Sequence, residues 1–300
     1  MERIVKAREY DYLERQKVIS KICEEYPFVK KSVIGKSVLG KDITALKIGS
    51  ASAYCLIAAA FHGSERITSN VLLMFIEDLC RAIKENSYIE GLKMPTAMRG
   101  RGVIFLPCVN PDGCDVALLG EKGCGEWRDK ISRLCGRDFA HWNANIRGVD
   151  INHNFDAGWH TLREREKNMG IFGPAPSRFG GTRPESEPET IALCDLCRTR
   201  EIRHAIALHS QGEVIYWSYG KHQPTRSRKM AEIMATSCEY ALDVPHGIAE
   251  GGGFKDWFIS KFSRPGFTVE LGLGKNPLDI SESIKIYSKV REMLTLSVIM

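Results

Sequence analysis

No stretch of this 300-residue chain stays apolar for long. The longest useful run, Ala53–Phe61, falls well short of the roughly 18 residues that a membrane span needs, so no membrane partner is expected. An exported chain would open on a basic stub and about 7 to 15 apolar residues. This one opens MERIVKAREYDYLERQKV, charged throughout, which predicts a cytoplasmic protein. Charge of one sign is lacking as well. Lys plus Arg is 42 against Asp plus Glu at 37, a net +5, and the basic residues are scattered except around Arg198–Arg203 and Arg226–Lys229. That leaves no stripe for nucleic acid, and none is expected as a partner. No period of about 20 to 50 residues recurs and no Ser, Pro or Gly-rich linker divides the chain. One domain over residues 1–300 is therefore expected, with residues 1–30 a helical segment packed on it.

Cysteine is plentiful at ten residues, yet the thiols run from Cys23 to Cys238 through segments that read as core, with no small-scaffold disulfide framework. Cys194-x-x-Cys197 is the one short pair. It has helical spacing around it and no second pair to complete a structural zinc site. Gly35-Lys-Ser-Val-Leu-Gly40-Lys41 imitates a phosphate-binding loop until its last position, which is Asp42, where a carboxylate would repel phosphate. A hairpin turn fits better.

Hydrophobic patterning predicts helices over residues 10–25, 69–84, 187–198 and 226–241, near 256–262, and from 280 onward. AYCLIAAAF, GVIFLPCVN, HAIALH, EVIYWSY and GFTVELG read as strands, several of them continuous apolar runs of the fully buried kind. Residues 113–182, rich in Gly, Trp, Asn and Arg, read as long irregular loops. Strands alternating with amphipathic helices predict an α/β fold, a mixed twisted sheet flanked by helices on both faces.

His62-Gly-Ser-Glu65 follows directly on a buried strand, so two metal-ligand types emerge where rigid scaffold meets open loop. Hydrolytic zinc commonly takes two His and one carboxylate and keeps a fourth position for water. His209, at the end of the strand AIALH, is the candidate third ligand. A hydrogen-bonded strand-end histidine is the plainer alternative for it. His141, His160, His204, His222 and His246 lack such a lead-in and read as structural or loop residues. In PGFTVELG, Glu270 is a charge out of pattern at the end of an apolar strand. Phe267, Val269 and Leu271 would bury its surroundings and raise its pKa toward that of a general base; a salt-bridged strand-end Glu is the alternative.

With these motifs assembled, the chain resembles the M14-type zinc carboxypeptidases. The resemblance rests on HGSE at 62–65, VNPDG at 109–113, RGVDINHNFDAGW at 147–159, ALHSQG at 207–212, GGGFKDW at 251–257 and PGFTVELG at 265–272, in the family's order. It implies one Zn2+ ion held by His62, Glu65 and His209, Glu270 as catalytic base and acid, and Asp150 as hydrogen-bond acceptor from His62. It also implies an oxyanion-holding arginine, for which Arg133 is the best match and Arg137 and Arg128 are alternatives. Where the family usually has Asn-Arg to clamp a terminal carboxylate, this chain has Asn152-His153. An imidazole has neither the bidentate fork nor the permanent charge of arginine. Near the family's substrate-capping Tyr stands Ile248. What remains is similar to the bacterial branch that hydrolyses γ-D-glutamyl-(L)-meso-diaminopimelate bonds in cell-wall stem peptides, in peptidoglycan recycling or sporulation, here without a separate wall-binding module. In that resemblance Lys255 falls where specificity for the residue after the cut is set, and its ammonium would pair with the distal carboxylate of the diamino acid. The alternatives are a metallocarboxypeptidase or amidohydrolase of another acylated amino acid, or a silent peptide binder.

Overall fold

A computed structural model describes residues 2–221 and 223–300, so His222 lies outside the described residues. The chain begins with helix α1 (Tyr12–Glu25), closed at its N-terminus by a reciprocal box in which Asp11 accepts from the backbone of Glu14 and Glu14 reaches back to Asp11. Strands β1 (Lys30–Lys36) and β2 (Asp42–Gly49) form the antiparallel hairpin expected around Gly40, with φ +78° at that glycine; Ser37 N donates to Lys41 O at 2.8 Å. No helix follows the glycine-rich turn, so the phosphate-loop likeness has no structural counterpart.

Strand β3 (Tyr54–Ala59) leads into helix α2 (Ile67–Lys84). A small hairpin of β4 (Tyr88–Ile89) and β5 (Leu92–Lys93) and a turn of helix, α3 (Met94–Ala97), precede β6 (Gly102–Leu106). Then come helices α4 (Pro111–Leu119), α5 (Arg128–Cys135), α6 (Trp159–Asn168) and α7 (Pro188–Thr199). Strands β7 (Ile202–His209) and β8 (Val214–Tyr216), helix α8 (Ser227–Cys238), β9 (Ala241–Asp243), α9 (Phe254–Phe262), β10 (Gly266–Glu270) and α10 (Ser283–Ile299) complete the order.

The eight-stranded sheet runs β1-β2-β6-β3-β7-β10-β8-β9. Its centre, β6, β3, β7 and β10, is parallel, while β1, β2 and β8 pair antiparallel. Because side chains alternate along a strand, Ile57 and Ala59 of β3 enter one core with helices α1, α2, α8 and α10, and Leu56 and Ala58 enter the other with α7 and α9. This is the expected mixed sheet with helices on both faces. Among the described residues no helix is long and apolar enough to cross a membrane.

The region 113–182 corrects the sequence reading, for it holds α4, α5 and α6 rather than only loops. The signal failed because α6 buries Trp159 and Leu162 together with a charged pair, Arg163 and Glu166, which bond to each other in place of a continuous apolar stripe. In α5 only Ile131 is buried, so no apolar stripe marks that helix either.

Candidate active site

Parallel strands end at the same edge of a sheet, and open α/β folds place ligands at that carboxyl edge. Strand β7 lies between β3 and β10, with Leu208 opposite Ala59 and His209 opposite Glu270. The edge therefore receives His209 and Glu270 directly, and His62 three residues beyond the end of β3. The chain turns out of β3 through Ala60 at φ +52° and enters a short 3-10 turn, Gly63–Glu65, that brings Glu65 back under His62. Gly63 is required there. A Cβ would stand 2.3 Å from the Gly113 carbonyl oxygen and 2.4 Å from that of Trp142.

His62 Nδ1 lies 2.9 Å from Glu65 Oε1, and His209 Nδ1 lies 3.0 Å from Glu65 Oε2. One donor atom from each of the three residues falls within 4.8 Å of the others. Tetrahedral zinc with bonds of about 2.0 to 2.2 Å to N and O needs ligand atoms spaced on this scale. The group fits in number, chemistry and spacing. Asp150 accepts from His62 Nε2 at 3.0 Å, so the ring must present Nδ1 to the other two ligands, the arrangement expected of a carboxylate behind a metal-binding histidine. Asp150 also accepts from Asn152 N at 3.1 Å and Arg178 N at 2.8 Å. Burial opposes its charge, but the neighbouring imidazoles of His62 and His153 and these hydrogen bonds hold its carboxyl well below the usual range. Phe61 stacks on His209 with centroids 5.0 Å apart, and Asn276 Nδ2 steadies Glu65 Oε1 at 3.3 Å.

Glu270 ends β10 beside this cluster and is not salt-bridged among the described residues. Burial, reinforced by the negative charge of Glu65, raises its pKa well above the ordinary carboxylate value, with His62 opposing. Such a carboxyl exchanges protons closer to neutral pH than a solvated one.

A cavity of about 170 Å³ opens over the cluster, with His62, His209 and Glu270 on its floor and Asn152, His153 and Lys255 in its wall. Asn152 commits its side-chain oxygen to Phe254 N at 3.0 Å. His153 Nδ1 lies 2.8 Å from Glu166 Oε1 and 3.1 Å from the Arg178 carbonyl, and burial pushes its pKa down. It offers the cavity a neutral ring. Lys255 is only 5% exposed, donates to the Ser218 carbonyl at 2.6 Å and pairs with Asp256. The free ammonium expected from the sequence is instead one half of a buried ion pair.

The arginine expectation is corrected. Arg133 is exposed on α5, and neither it, Arg128 nor Arg137 lines the cavity. Helix α5 is held by Ile131 in a separate apolar cluster with Val116 and Trp142, which turns its basic residues outward. The sequence reading missed Arg178. Its backbone is pinned between Asp150 and His153 at φ +66°, its side chain is exposed, and its charge is close enough to lower the His153 pKa. Nothing in the sequence marks a non-glycine residue as left-handed. The basic residue in SRFGG, directly after the irregular GPAPS, was the only signal available.

Three converging donors with an unpaired, half-buried carboxyl beside them describe a metal-dependent hydrolase. The chain belongs to the Peptidase M14 family of zinc carboxypeptidases, which matches residues 16–292, and it is accordingly a zinc metallopeptidase. It is 36% identical over 282 residues to the gamma-D-glutamyl-L-diamino acid endopeptidase 1 of Lysinibacillus sphaericus, covering 93% of this chain and 70% of that one. To the Bacillus subtilis (strain 168) protein YqgT it is 36% identical over 292 residues, covering 95% and 76%. The fold is shared with thrombin activatable fibrinolysis inhibitor at a TM-score of 0.75 and 20% identity, over 99% of this chain and 76% of that one.

Proposed function

We propose that residues 1–300 form one catalytic unit that uses a single zinc ion to hydrolyse γ-D-glutamyl-(L)-meso-diaminopimelate bonds in cell-wall stem peptides. The observation that carries the reading is the pairing of an intact His62, Glu65, His209 and Glu270 cluster with a neutral His153 where a permanent charge would hold an ordinary C-terminus. The Lysinibacillus relative, whose name specifies that bond type, supports it.

Zinc held by His62 Nδ1, Glu65 and His209 Nδ1 would supply Lewis acidity that polarises the scissile carbonyl and makes an attacking water more acidic. Glu270 takes the water proton as the water attacks and returns it to the departing amine. Asp150 keeps the His62 ring in place throughout. Asn152, through its uncommitted side-chain NH2, and His153 position the peptide. Among the described residues no arginine lines the cavity, and Arg178, whose backbone contacts Asp150 and His153 and whose charge acts on His153, supplies the guanidinium for a substrate carboxylate. A cytoplasmic setting and a role in peptide recycling or sporulation belong to the same proposal.

The test is mass spectrometry of products from L-Ala-γ-D-Glu-meso-diaminopimelate, with and without chelator, beside a matched peptide ending in an ordinary L-residue. Chelator-sensitive release of L-Ala-D-Glu with the ordinary peptide intact is expected. Cleavage of the ordinary peptide alone overturns the proposal.

A further inference from the structure

Beneath the His62 turn lies a second group of reactive side chains that peptide hydrolysis does not use. Cys108, just past the end of β6, and Cys114, in α4, bring their sulfurs to 3.7 Å, and both are buried. Among the described residues no other two cysteine sulfurs are hydrogen-bonded. The guanidinium of Arg15 stands beside them, itself 2% exposed, with Nη1 donating to the Tyr10 carbonyl and Nη2 without any partner. Asp115, the nearest acidic group on α4, is already held by Lys41 at 2.8 Å. A buried cation favours negative partners; Asp11 and Asp115 both act on Arg15, and Cys108 is the thiol on which the charge of Arg15 acts in turn. Burial resists ionisation of Cys108, but hydrogen bonding from Cys114 and the charge of Arg15 outweigh it and lower its pKa; Cys114 is driven the other way. The remaining buried thiols differ. Burial pushes Cys55 and Cys238 up to about 12 and Cys124 up to about 11, and raises Cys80, Cys194 and Cys197 as well. A crevice of about 10 Å³, room for one water-sized molecule, reaches Cys108 between Arg15, Pro107 and Pro111.

We propose that Cys108 and Cys114 form a reversible oxidation site for hydrogen peroxide, and that closing the disulfide loosens the metal-ligand turn above it. The Cys108 thiolate attacks one peroxide oxygen: an S–O bond forms, the O–O bond breaks, and the departing hydroxide takes up a proton. The Cys114 sulfur then attacks the Cys108 sulfur. The S–S bond forms, the S–O bond breaks, and hydroxide leaves with the Cys114 proton as water, so two thiols have lost the two electrons that the peroxide gained. Closure from 3.7 Å to about 2.05 Å draws Cys108 toward α4. That movement has little slack. Val109 N and Asn110 N donate to Ala59 O and Ala60 O at 3.0 Å each, Asn110 Nδ2 donates to Phe61 O at 3.0 Å, and Gly113 packs against Gly63. The strain is delivered to the residues that aim His62 and Glu65.

The zinc-loaded full chain would be titrated with hydrogen peroxide, alkylated and digested with trypsin. Cleavage after Arg101 and Lys122 releases residues 102–122, which contain these two cysteines and no others. The expected result is loss of two hydrogens and of both alkylation sites in that peptide before the other eight thiols change. Zinc affinity should fall about tenfold or more in step and recover with a dithiol, and Cys114→Ser should keep its affinity at the same dose. The oxidation site is overturned if peptide 102–122 stays doubly alkylated while other thiols oxidise. Coupling to the metal turn is overturned if the disulfide forms and zinc affinity does not move.

Discussion

Replacing Asp150 with Asn separates holding the metal from doing the chemistry. The carboxylate accepts from His62 Nε2 at 3.0 Å and Asn152 N at 3.1 Å through one oxygen, and from Arg178 N at 2.8 Å through the other. Asparagine preserves the shape but replaces one acceptor with an NH2 and removes the charge. If the remaining oxygen stays with His62, the amide meets the Arg178 N–H donor to donor, a buried conflict of about 1 to 3 kcal/mol. If it turns to Arg178, the His62 ring loses the acceptor that fixes which nitrogen faces the metal. Outer partners of this kind are worth about 10 to 100-fold in metal affinity, or about 1.4 to 2.7 kcal/mol. Zinc dissociation constants measured by competition with a chromophoric chelator, beside denaturant unfolding of the metal-free protein, read the two terms separately. Affinity should fall by that factor while kcat at saturating zinc falls less. A variant that is destabilised yet binds zinc as tightly as the parent would refute the assignment of Asp150 as the support of His62.

Glu270→Gln should bind zinc with unchanged affinity and lose about 10²- to 10⁴-fold in kcat, the range of a proton-transferring side chain; an active variant would remove Glu270 from the mechanism. Because catalysis needs the carboxylate form and the pKa of Glu270 is raised, kcat/KM should fall as pH drops through a limb lying above the ordinary value of about 4.5, a limb read from a pH profile of the parent. His204 Nε2 donates to the Ser297 carbonyl, 2.8 Å away, and burial pushes its pKa down to about 3. The unfolded state therefore binds the proton first as pH falls below about 6.5, so stability is full above that pH and is lost toward pH 3 by at most about 1.4 kcal/mol per pH unit. His204→Gln should flatten that acid limb in thermal unfolding, and an unaltered slope would contradict it. Arg178→Gln should raise KM for the carboxylate-rich peptide about tenfold or more with little change in kcat, and Arg178→Lys should recover part of it; equal losses in kcat would point to structural damage instead.

Much of the architecture was legible because burial writes itself into residue order. Continuous apolar runs marked β3, β6, β7 and β10 as strands covered on both faces, and the polar residues that broke those runs at their ends, His62, His209 and Glu270, were the ones the sheet edge gathers. Helices α5 and α6 were not legible. Helix α6 is held partly by a buried Arg163–Glu166 pair, which leaves no apolar rhythm to read.

The residue types and their positions at strand ends determined the chemistry available to this protein: two imidazoles and a carboxylate for a metal, a further carboxyl for proton transfer, and a histidine in place of a clamping arginine. Only the tertiary structure decided which charges remain free to act. Lys255 is consumed by Asp256, Arg133 is turned to solvent by the packing of Ile131, and Arg178 is held beside His153 by a left-handed backbone pinned to Asp150 and His153. Whether a charge is spent on a neighbour depends on contacts between residues far apart in the chain, and those distances are set when helices and loops pack across the edge of the sheet.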